Sequence, residues 1–329
     1  MITKDDRWMR RALDLSLGSR RVAPPNPWVG AVIVDAVADR EVGAGATCAP
    51  GLSHAEVVAL DVAGPLARGA TLFVTLEPCG HSGRTGPCTQ RIIDAGVAKV
   101  VVALIDPDER VAGAGVRTLR DAGLEVTVGV LEEEASQVLA PYLWHRRTRR
   151  PYVVLKVAAT LDGRVAMADG TSQWITGEAA RADAHELRGD SQAILVGAGT
   201  VRADNPALTA RTSHGVVEPL RVVLGRAPVG SKVHPCLERQ GELGPVLDEL
   251  GQNGVLQLLV EGGPYTASEF LREGLVNRLV WYVAPAWAGA ASGSGALSQF
   301  GTESIGSLQR GRILDVRRIG EDIRMELEI

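Results

Sequence analysis

The chain has 329 residues, enough at roughly 150 residues per domain for two domains that each bury a core without disulfides. Hydrophobic content of 45%, charged content of 22%, 38 Gly and 17 Pro exclude a disordered or collagen-like chain. A net charge of −4 and only 4% aromatic residues count against a nucleic-acid binder, which needs a basic surplus for phosphate and rings for stacking.

The longest apolar candidate, residues 280–291, is broken by Pro285 and Gly289, so no membrane span is expected. Lys4, Asp5, Asp6 and Arg7 stand where a signal peptide would need an apolar core, and the expected compartment is the cytoplasm. Cys48, Cys79, Cys88 and Cys236 read as buried thiols or metal ligands rather than as a disulfide framework.

In chain order, Thr3 and Asp6 form a helix-start pattern, followed by Trp8, Met9, Ala12, Leu13 and Ser16 at helical spacing. Residues 31–34 read as a buried strand and 43–45 as the end of its partner. Strands are expected over 70–76 and 97–104, with helices over 54–63 and 89–95 between them. A helix over 116–122 leads to a strand over 125–128. One helix is expected over 131–145, opened by Glu132, Glu133 and Glu134, which suit a helix N-terminus. It ends in the basic run from Arg146 to Arg150, read as a solvated helix end and linker rather than a nucleic-acid patch, and Pro151 marks the boundary. The second half restarts with a strand over 152–158. A helix over 178–187, strands over 193–196, 220–224 and 256–260, a helix over 266–273 and a strand over 278–283 follow. Both halves are α/β, and the expected domains are 1–147 and 151–329.

Ser53-His54-Ala55-Glu56 opens a helix, and Ser53 with Glu56 can be a plain capping box. Glu77-Pro78-Cys79 after a strand and Pro87-Cys88 before a helix point elsewhere. One His and two Cys supply three zinc ligands and leave the fourth tetrahedral position for water. Glu56, two residues beyond His54, can then take a proton from that water and return it to a leaving amine. His-x-Glu with Pro-Cys is a nucleobase-deaminase signature, but there two residues separate the cysteines. Here eight do. Cys48 reads as an ordinary small thiol, because a fourth ligand would close the catalytic position.

In the second half, Val196-Gly197-Ala198-Gly199-Thr200 and Val260-Glu261-Gly262-Gly263-Pro264 each follow an apolar strand. Glycines there let backbone approach phosphates, although each loop alone is more often a plain turn. Arg202 occupies the third glycine position of Gly-x-Gly-x-x-Gly, so no ordinary dinucleotide fingerprint is present. Lys156, one of only four lysines, lies in an apolar strand.

The segment from Thr75 to Cys88, with Pro25-Asn26-Pro27-Trp28-Val29-Gly30 and His54-Ala55-Glu56 in the same order, resembles the bifunctional riboflavin-biosynthesis deaminase/reductase family. Its reductase half is matched by Lys156-Val157-Ala158, Leu161-Asp162-Gly163-Arg164, Ser172-Gln173-Trp174-Ile175-Thr176 and the run from Val196 to Arg211. The resemblance covers nearly the whole chain. It implies an N-terminal cytidine-deaminase-like α/β/α domain and a C-terminal dihydrofolate-reductase-like α/β domain.

It further implies that His54, Cys79 and Cys88 bind zinc, that Glu56 shuttles protons, and that Asn26, His81 and Arg84 hold pyrimidine or phosphate. Ala158, Trp174, Thr200, Asp204 and Gly263 would contact NADPH. Ser172, Arg188, Leu208, Arg211 and Glu261 would hold the substrate, the arginines as forks for a sugar phosphate and Glu261 on ribose hydroxyls. Asp204 and Lys156 are the catalytic candidates of the reductase half.

Two departures stand out: Thr47 where many members carry a histidine, and only 39 residues between Arg221 and Glu261, where members usually have an extra strand and helix. A small-molecule pyrimidine ribosyl phosphate is the expected partner, together with a second copy of the chain paired through the reductase domain. Three other readings remain open at this stage: a deaminase of another base or of nucleic acid joined to an unrelated domain, a zinc-stabilised binding module without catalysis, and a deaminase joined to an inactive second half.

Overall fold

Thr3 starts helix α1 (Lys4–Ser19): its hydroxyl accepts from the Asp6 N–H while the Asp6 carboxylate accepts from the Thr3 N–H. Two donors that the first turn leaves open are thereby satisfied. The buried face of α1, with Met9, Ala12 and Leu13, lies on strand β1 (Gly30–Asp35). A Cβ on Gly30 would fall 1.9 Å from the Ala12 carbonyl oxygen, so only glycine permits that approach. The computed structural model describes residues 3–80, 86–289, 293–298, 301 and 303–329. Contacts divide the chain into two units, 1–149 and 150–329.

The first unit continues with β2 (Arg40–Ala46), α2 (Ala55–Ala63), β3 (Thr71–Val74), α3 (Cys88–Asp94), β4 (Lys99–Val102), α4 (Ala114–Asp121) and β5 (Glu125–Val128). Its sheet has the order β2-β1-β3-β4-β5. β1 is antiparallel to β2 and β3, whereas β3, β4 and β5 run parallel. Every residue of β3 is buried, as are Gly30 to Val34 of β1, the mark of strands covered on both faces. The single helix expected over 131–145 is two, α5 (Glu132–Val138) and α6 (Ala140–Thr148). Pro141 sits in the first turn of α6. Lacking an N–H and clashing with the carbonyl four residues back, it ends one helix and begins the next.

The second unit comprises β6 (Tyr152–Thr160), β7 (Arg164–Ala166), α7 (Glu178–Gly189), β8 (Ala193–Gly197), α8 (Ala198–Asp204), β9 (Ala210–Thr212), β10 (Gly215–Val217) and β11 (Leu220–Leu224). β12 (Leu237–Arg239), α9 (Leu243–Gln252), β13 (Gln257–Val260), α10 (Pro264–Arg272), β14 (Arg278–Ala284), β15 (Ser294–Gly295), β16 (Arg312–Ile319) and β17 (Asp322–Glu328) follow. The main sheet is β12-β11-β8-β13-β6-β14-β17-β16. It is parallel from β12 to β14 and closed by the antiparallel hairpin β16–β17. Leu155, Leu195, Leu258, Leu247 and Phe270 pack its core.

Three features differ from expectation. The loop Val196-Gly197-Ala198-Gly199-Thr200 is not a turn: Gly197 ends β8 and Ala198 opens helix α8. The C-terminal hairpin was not anticipated, because its strands mix apolar residues with Arg317, Arg318 and Arg324 and are largely half-exposed or exposed. The short segment between Arg221 and Glu261 nonetheless carries a strand and a helix, β12 and α9. Among the described residues no helix is long and apolar enough to cross a membrane.

Candidate active sites

In the first unit, β3 runs out through Thr75, Leu76, Glu77 and Pro78 to Cys79. Thr75 Oγ1 accepts from the Gly30 N–H at 3.1 Å, and Thr47 Oγ1 from the Val29 N–H at 3.0 Å. The bend bearing Asn26, which precedes β1, is thus tied to both chain segments that lead into the site. His54 is the N-cap of α2 and no side chain caps that helix, so the capping-box reading of Ser53 and Glu56 fails. Gly45 of β2 seats α2 on the sheet: a Cβ there would lie 2.6 Å from the Ala55 carbonyl oxygen.

Cys88 is the first residue of α3. His54 Nδ1 lies 3.3 Å from Cys88 Sγ and 3.6 Å from Cys79 Sγ, and the Cys88 N–H donates to Cys79 Sγ at 3.5 Å. The hydrogen bond from the Cys88 thiol brings the Cys79 thiol down to about 4 despite burial, with the His54 ring and the Cys88 N–H adding to the effect. Sharing one charge with Cys79, and burial, push Cys88 up. Glu56 is 4% exposed; burial, and then the charge on Cys79, raise its carboxyl above the usual range. One imidazole nitrogen and two sulfurs within 4.8 Å of one another are a zinc donor set that leaves a tetrahedral position open. The residues present fit that metal. Cys48 is not among these donors; its Sγ lies 3.9 Å from the Ala46 carbonyl oxygen. His81 and Arg84 lie outside the described residues.

In the second unit a cavity of about 1130 Å³ opens at the carboxyl ends of β8, β11 and β13, where parallel α/β sheets commonly take ligands. Gly197 and Gly199 line one side, Gly262 and Gly263 another. Thr200 of α8 joins the two glycine loops by accepting the Gly263 N–H at 3.1 Å. Ala158 and Lys156 of β6, Leu208, and Trp174, with the Arg181 guanidinium 4.8 Å above its ring, also face the cavity. Ser172 donates to Asp204 at 3.0 Å. Asp204 is the last residue of α8. Burial draws the Lys156 ammonium down toward neutrality, and the Glu261 carboxylate opposes this.

Arg188 and Glu261, each expected to face the substrate, face each other. Two parallel bonds of 2.6 and 2.8 Å join them, and Arg188 Nη1 also donates to the Thr209 carbonyl at 3.2 Å. Burial raises the Glu261 carboxyl, but the Arg188 charge and its hydrogen bonds, helped by Lys156, reverse this and hold it at about 2. Arg211 lies beside His185, with Nη2 2.8 Å from the ring Nε2.

Residues 2–104 match the family model for the cytidine and deoxycytidylate deaminase zinc-binding region, and residues 151–325 match that for the RibD C-terminal domain. The riboflavin biosynthesis protein RibD of Mycobacterium tuberculosis (strain H37Rv) is 43% identical over 98% of this chain and 96% of its own length. The chain belongs to the RibD family.

Solved RibD structures carry the same fold. That of Acinetobacter baumannii RibD, form 1, gives a TM-score of 0.92 at 38% identity over 100% of this chain and 99% of that one. A Thermotoga maritima diaminohydroxyphosphoribosylaminopyrimidine deaminase/5-amino-6-(5-phosphoribosylamino)uracil reductase gives 0.90 at 33% over 99% and 98%. As a RibD protein, the chain is a bifunctional deaminase and reductase of riboflavin biosynthesis, with a deaminase-like first unit and a reductase-like second.

One residue of this RibD chain, Glu77, escaped sequence reasoning, whereas Thr47 stands out there as a departure. Thr47 is buried and turned to the backbone of Val29. Glu77 is also buried and accepts three backbone N–H groups, from Asp106, Gly113 and Val116, at 3.3, 2.9 and 3.0 Å. It fixes the backbone two residues before Cys79. The only sequence signal was an acid at the end of an otherwise apolar strand.

Proposed function

We propose that residues 1–147 hydrolytically deaminate 2,5-diamino-6-ribosylamino-4(3H)-pyrimidinone 5′-phosphate, and that residues 151–329 reduce the ribosyl side chain of the product with NADPH to 5-amino-6-ribitylaminouracil 5′-phosphate. The observation that carries the reading is the buried carboxyl of Glu56 beside the His54, Cys79 and Cys88 donor set, where burial and the charge on Cys79 raise its proton affinity. A purely structural metal site has no use for that carboxyl.

His54, Cys79 and Cys88 would hold zinc, which when bound supplies Lewis acidity at the open position. Glu56, with its proton affinity raised by burial, takes up a proton from the attacking water and passes it to the departing amine. Asn26, His81 and Arg84 hold the pyrimidine and phosphate.

In the second unit the cavity, about 1130 Å³, lies just above the usual ligand-site range of roughly 300–1,000 Å³, which suits a dinucleotide beside a second ligand. NADPH, when bound, supplies the hydride. Ala158, Trp174, Thr200 and Gly263 would contact it, and Asp204, aligned by Ser172, orients the proton transfer at the ribose C1′ with Lys156 close by. Ser172, Leu208 and Arg211 hold the substrate. Glu261 keeps Arg188 fixed with its remaining N–H groups toward the cavity. The protein acts in the cytoplasm as a dimer paired through the reductase unit.

Assaying the half-reactions separately tests this. Glu56→Gln lowers ammonia release by about 10²–10⁴-fold and leaves NADPH oxidation on the deaminated intermediate intact, whereas Asp204→Asn does the reverse. Full deamination by Glu56→Gln would overturn the mechanism of the first unit. A wild-type protein that never oxidises NADPH with that intermediate sinks the second.

A further inference from the structure

Away from both sites, a second set of metal-ligating side chains converges at the edge of the main sheet. Among the described residues β12 pairs only with β11, and the chain enters it through a bend at Pro235. His234 and Cys236 stand before the strand and Glu238 within it, and one ligand atom from each lies within 4.8 Å of the others. Cys236 Sγ is 3.5 Å from His234 Nδ1. On the far side of the ring, His234 Nε2 is 3.3 Å from the Pro228 carbonyl oxygen.

A carbonyl only accepts, so Nε2 carries the proton and Nδ1 turns its lone pair to the sulfur. This is how a second shell sets the tautomer of a ligating histidine. Glu238 Oε1 accepts from the Ala227 N–H at 2.9 Å, which fixes the carboxylate beside the other two groups. The alternate residue Arg239 makes a bidentate pair with Glu249 of α9, so the opposite side of the strand is already engaged.

We propose that His234, Cys236 and Glu238 bind a divalent zinc-type cation that clamps the segment between β11 and α9. Imidazole nitrogen, thiolate sulfur and carboxylate oxygen together are zinc ligands, while the sulfur disfavours magnesium or calcium, which take oxygen. On binding, the Cys236 S–H bond breaks, a metal–sulfur bond forms and the proton leaves to solvent; nothing is oxidised or reduced. Lys232 on one side of the trio, and Arg239, Gln240 and Gly241 on the other, line the large cavity of this unit. An ion here therefore orders one of the cavity walls without entering it.

The test titrates the metal-free full-length chain with Co²⁺, following thiolate-to-cobalt charge-transfer absorption, and then with Zn²⁺, following amide hydrogen exchange. Wild type takes up one equivalent more than Cys236→Ser or His234→Gln, and zinc slows exchange over residues 227–241 in wild type but in neither variant. Equal uptake by wild type and both variants, or unchanged exchange in that segment, overturns the proposal. Cys79→Ser reports separately on the cluster of the first unit, so failure of one site is not mistaken for failure of the other. Retained exchange protection in the remainder of the second unit shows that the variants are folded.

Discussion

In the first unit the reactive side chains sit on three short pieces of backbone, the N-cap of α2, the loop after β3 and the first residue of α3. In the second they come from elements spread between Lys156 and Glu261, and several are already satisfied by one another. The zinc-type cluster leaves its donors converging on a point where a cation is the natural partner. The reductase-type cavity instead neutralises a buried pair of charges internally, Arg188 with Glu261, while Arg211 rests against the His185 ring. One site is therefore sensitive to where backbone is placed, the other to whether charges remain paired.

Breaking the pair is expected to have the larger effect. Glu261→Gln leaves Arg188, whose side chain is 19% exposed, without its carboxylate, and removal of one partner of such a pair costs about 3–5 kcal/mol. Denaturant unfolding of the second unit should show that loss, together with lost reduction, while zinc content and deamination are retained. Replacing both residues by apolar ones should recover much of the stability but none of the reduction. The pair also gives this unit an acid limit. The Glu261 carboxyl titrates at about 2 when folded and near 4.3 when unfolded. Its contribution is therefore complete above the unfolded value and is lost as pH falls from there toward 2, by about 3 kcal/mol in all. Acid titration of Glu261→Gln should lack that component; an identical acid profile would contradict the assigned pairing.

The first site should break instead at a methyl group. Gly45→Ala places a Cβ 2.6 Å from the Ala55 carbonyl oxygen and 2.7 Å from the Ala59 nitrogen, so α2 must move off the sheet and carry His54 and Glu56 with it. Overpacking of this kind costs about 1–3 kcal/mol. Zinc retention and deamination should fall together while reduction is untouched, and unchanged zinc content would show that α2 tolerates the shift.

The same contrast explains what could be read in the sequence. Cysteine and histidine are scarce, at four and six residues, so His54, Cys79 and Cys88 stand out by type before any fold is known. The alternation of apolar runs with helical spacing conveyed two α/β units for a similar reason, because buried strands such as β3 and β13 are apolar after their first residues, Thr71 and Gln257. Glu77 was invisible because its partners lie 29 to 39 residues away and are backbone N–H groups, which leave no residue-type signature. The Arg188–Glu261 pair spans 73 positions, and an isolated arginine suits a phosphate as well as a carboxylate. Helix α8 was hidden by its own glycines, and the break at Leu139 by the apolar face that continues across Pro141.

The smallest effect tests whether the two glycine loops of the second unit act as one. Thr200 Oγ1 accepts the Gly263 N–H, and Gly263 is the N-cap of α10, so a single hydroxyl ties the start of α8 to the start of α10 across the cavity. Thr200→Val keeps the shape and removes the acceptor. A neutral hydrogen bond of this kind contributes about 0.5–1.5 kcal/mol, so the second unit should lose only that much in denaturant unfolding. If the loops grip the dinucleotide jointly, the KM for NADPH rises while kcat for reduction is kept, because Asp204 and Lys156, the groups proposed to act at the reacting carbon, are not disturbed. A fall in kcat with KM unchanged would instead place Thr200 at the hydride-transfer end of the cavity and break the assignment of the loops to cofactor binding.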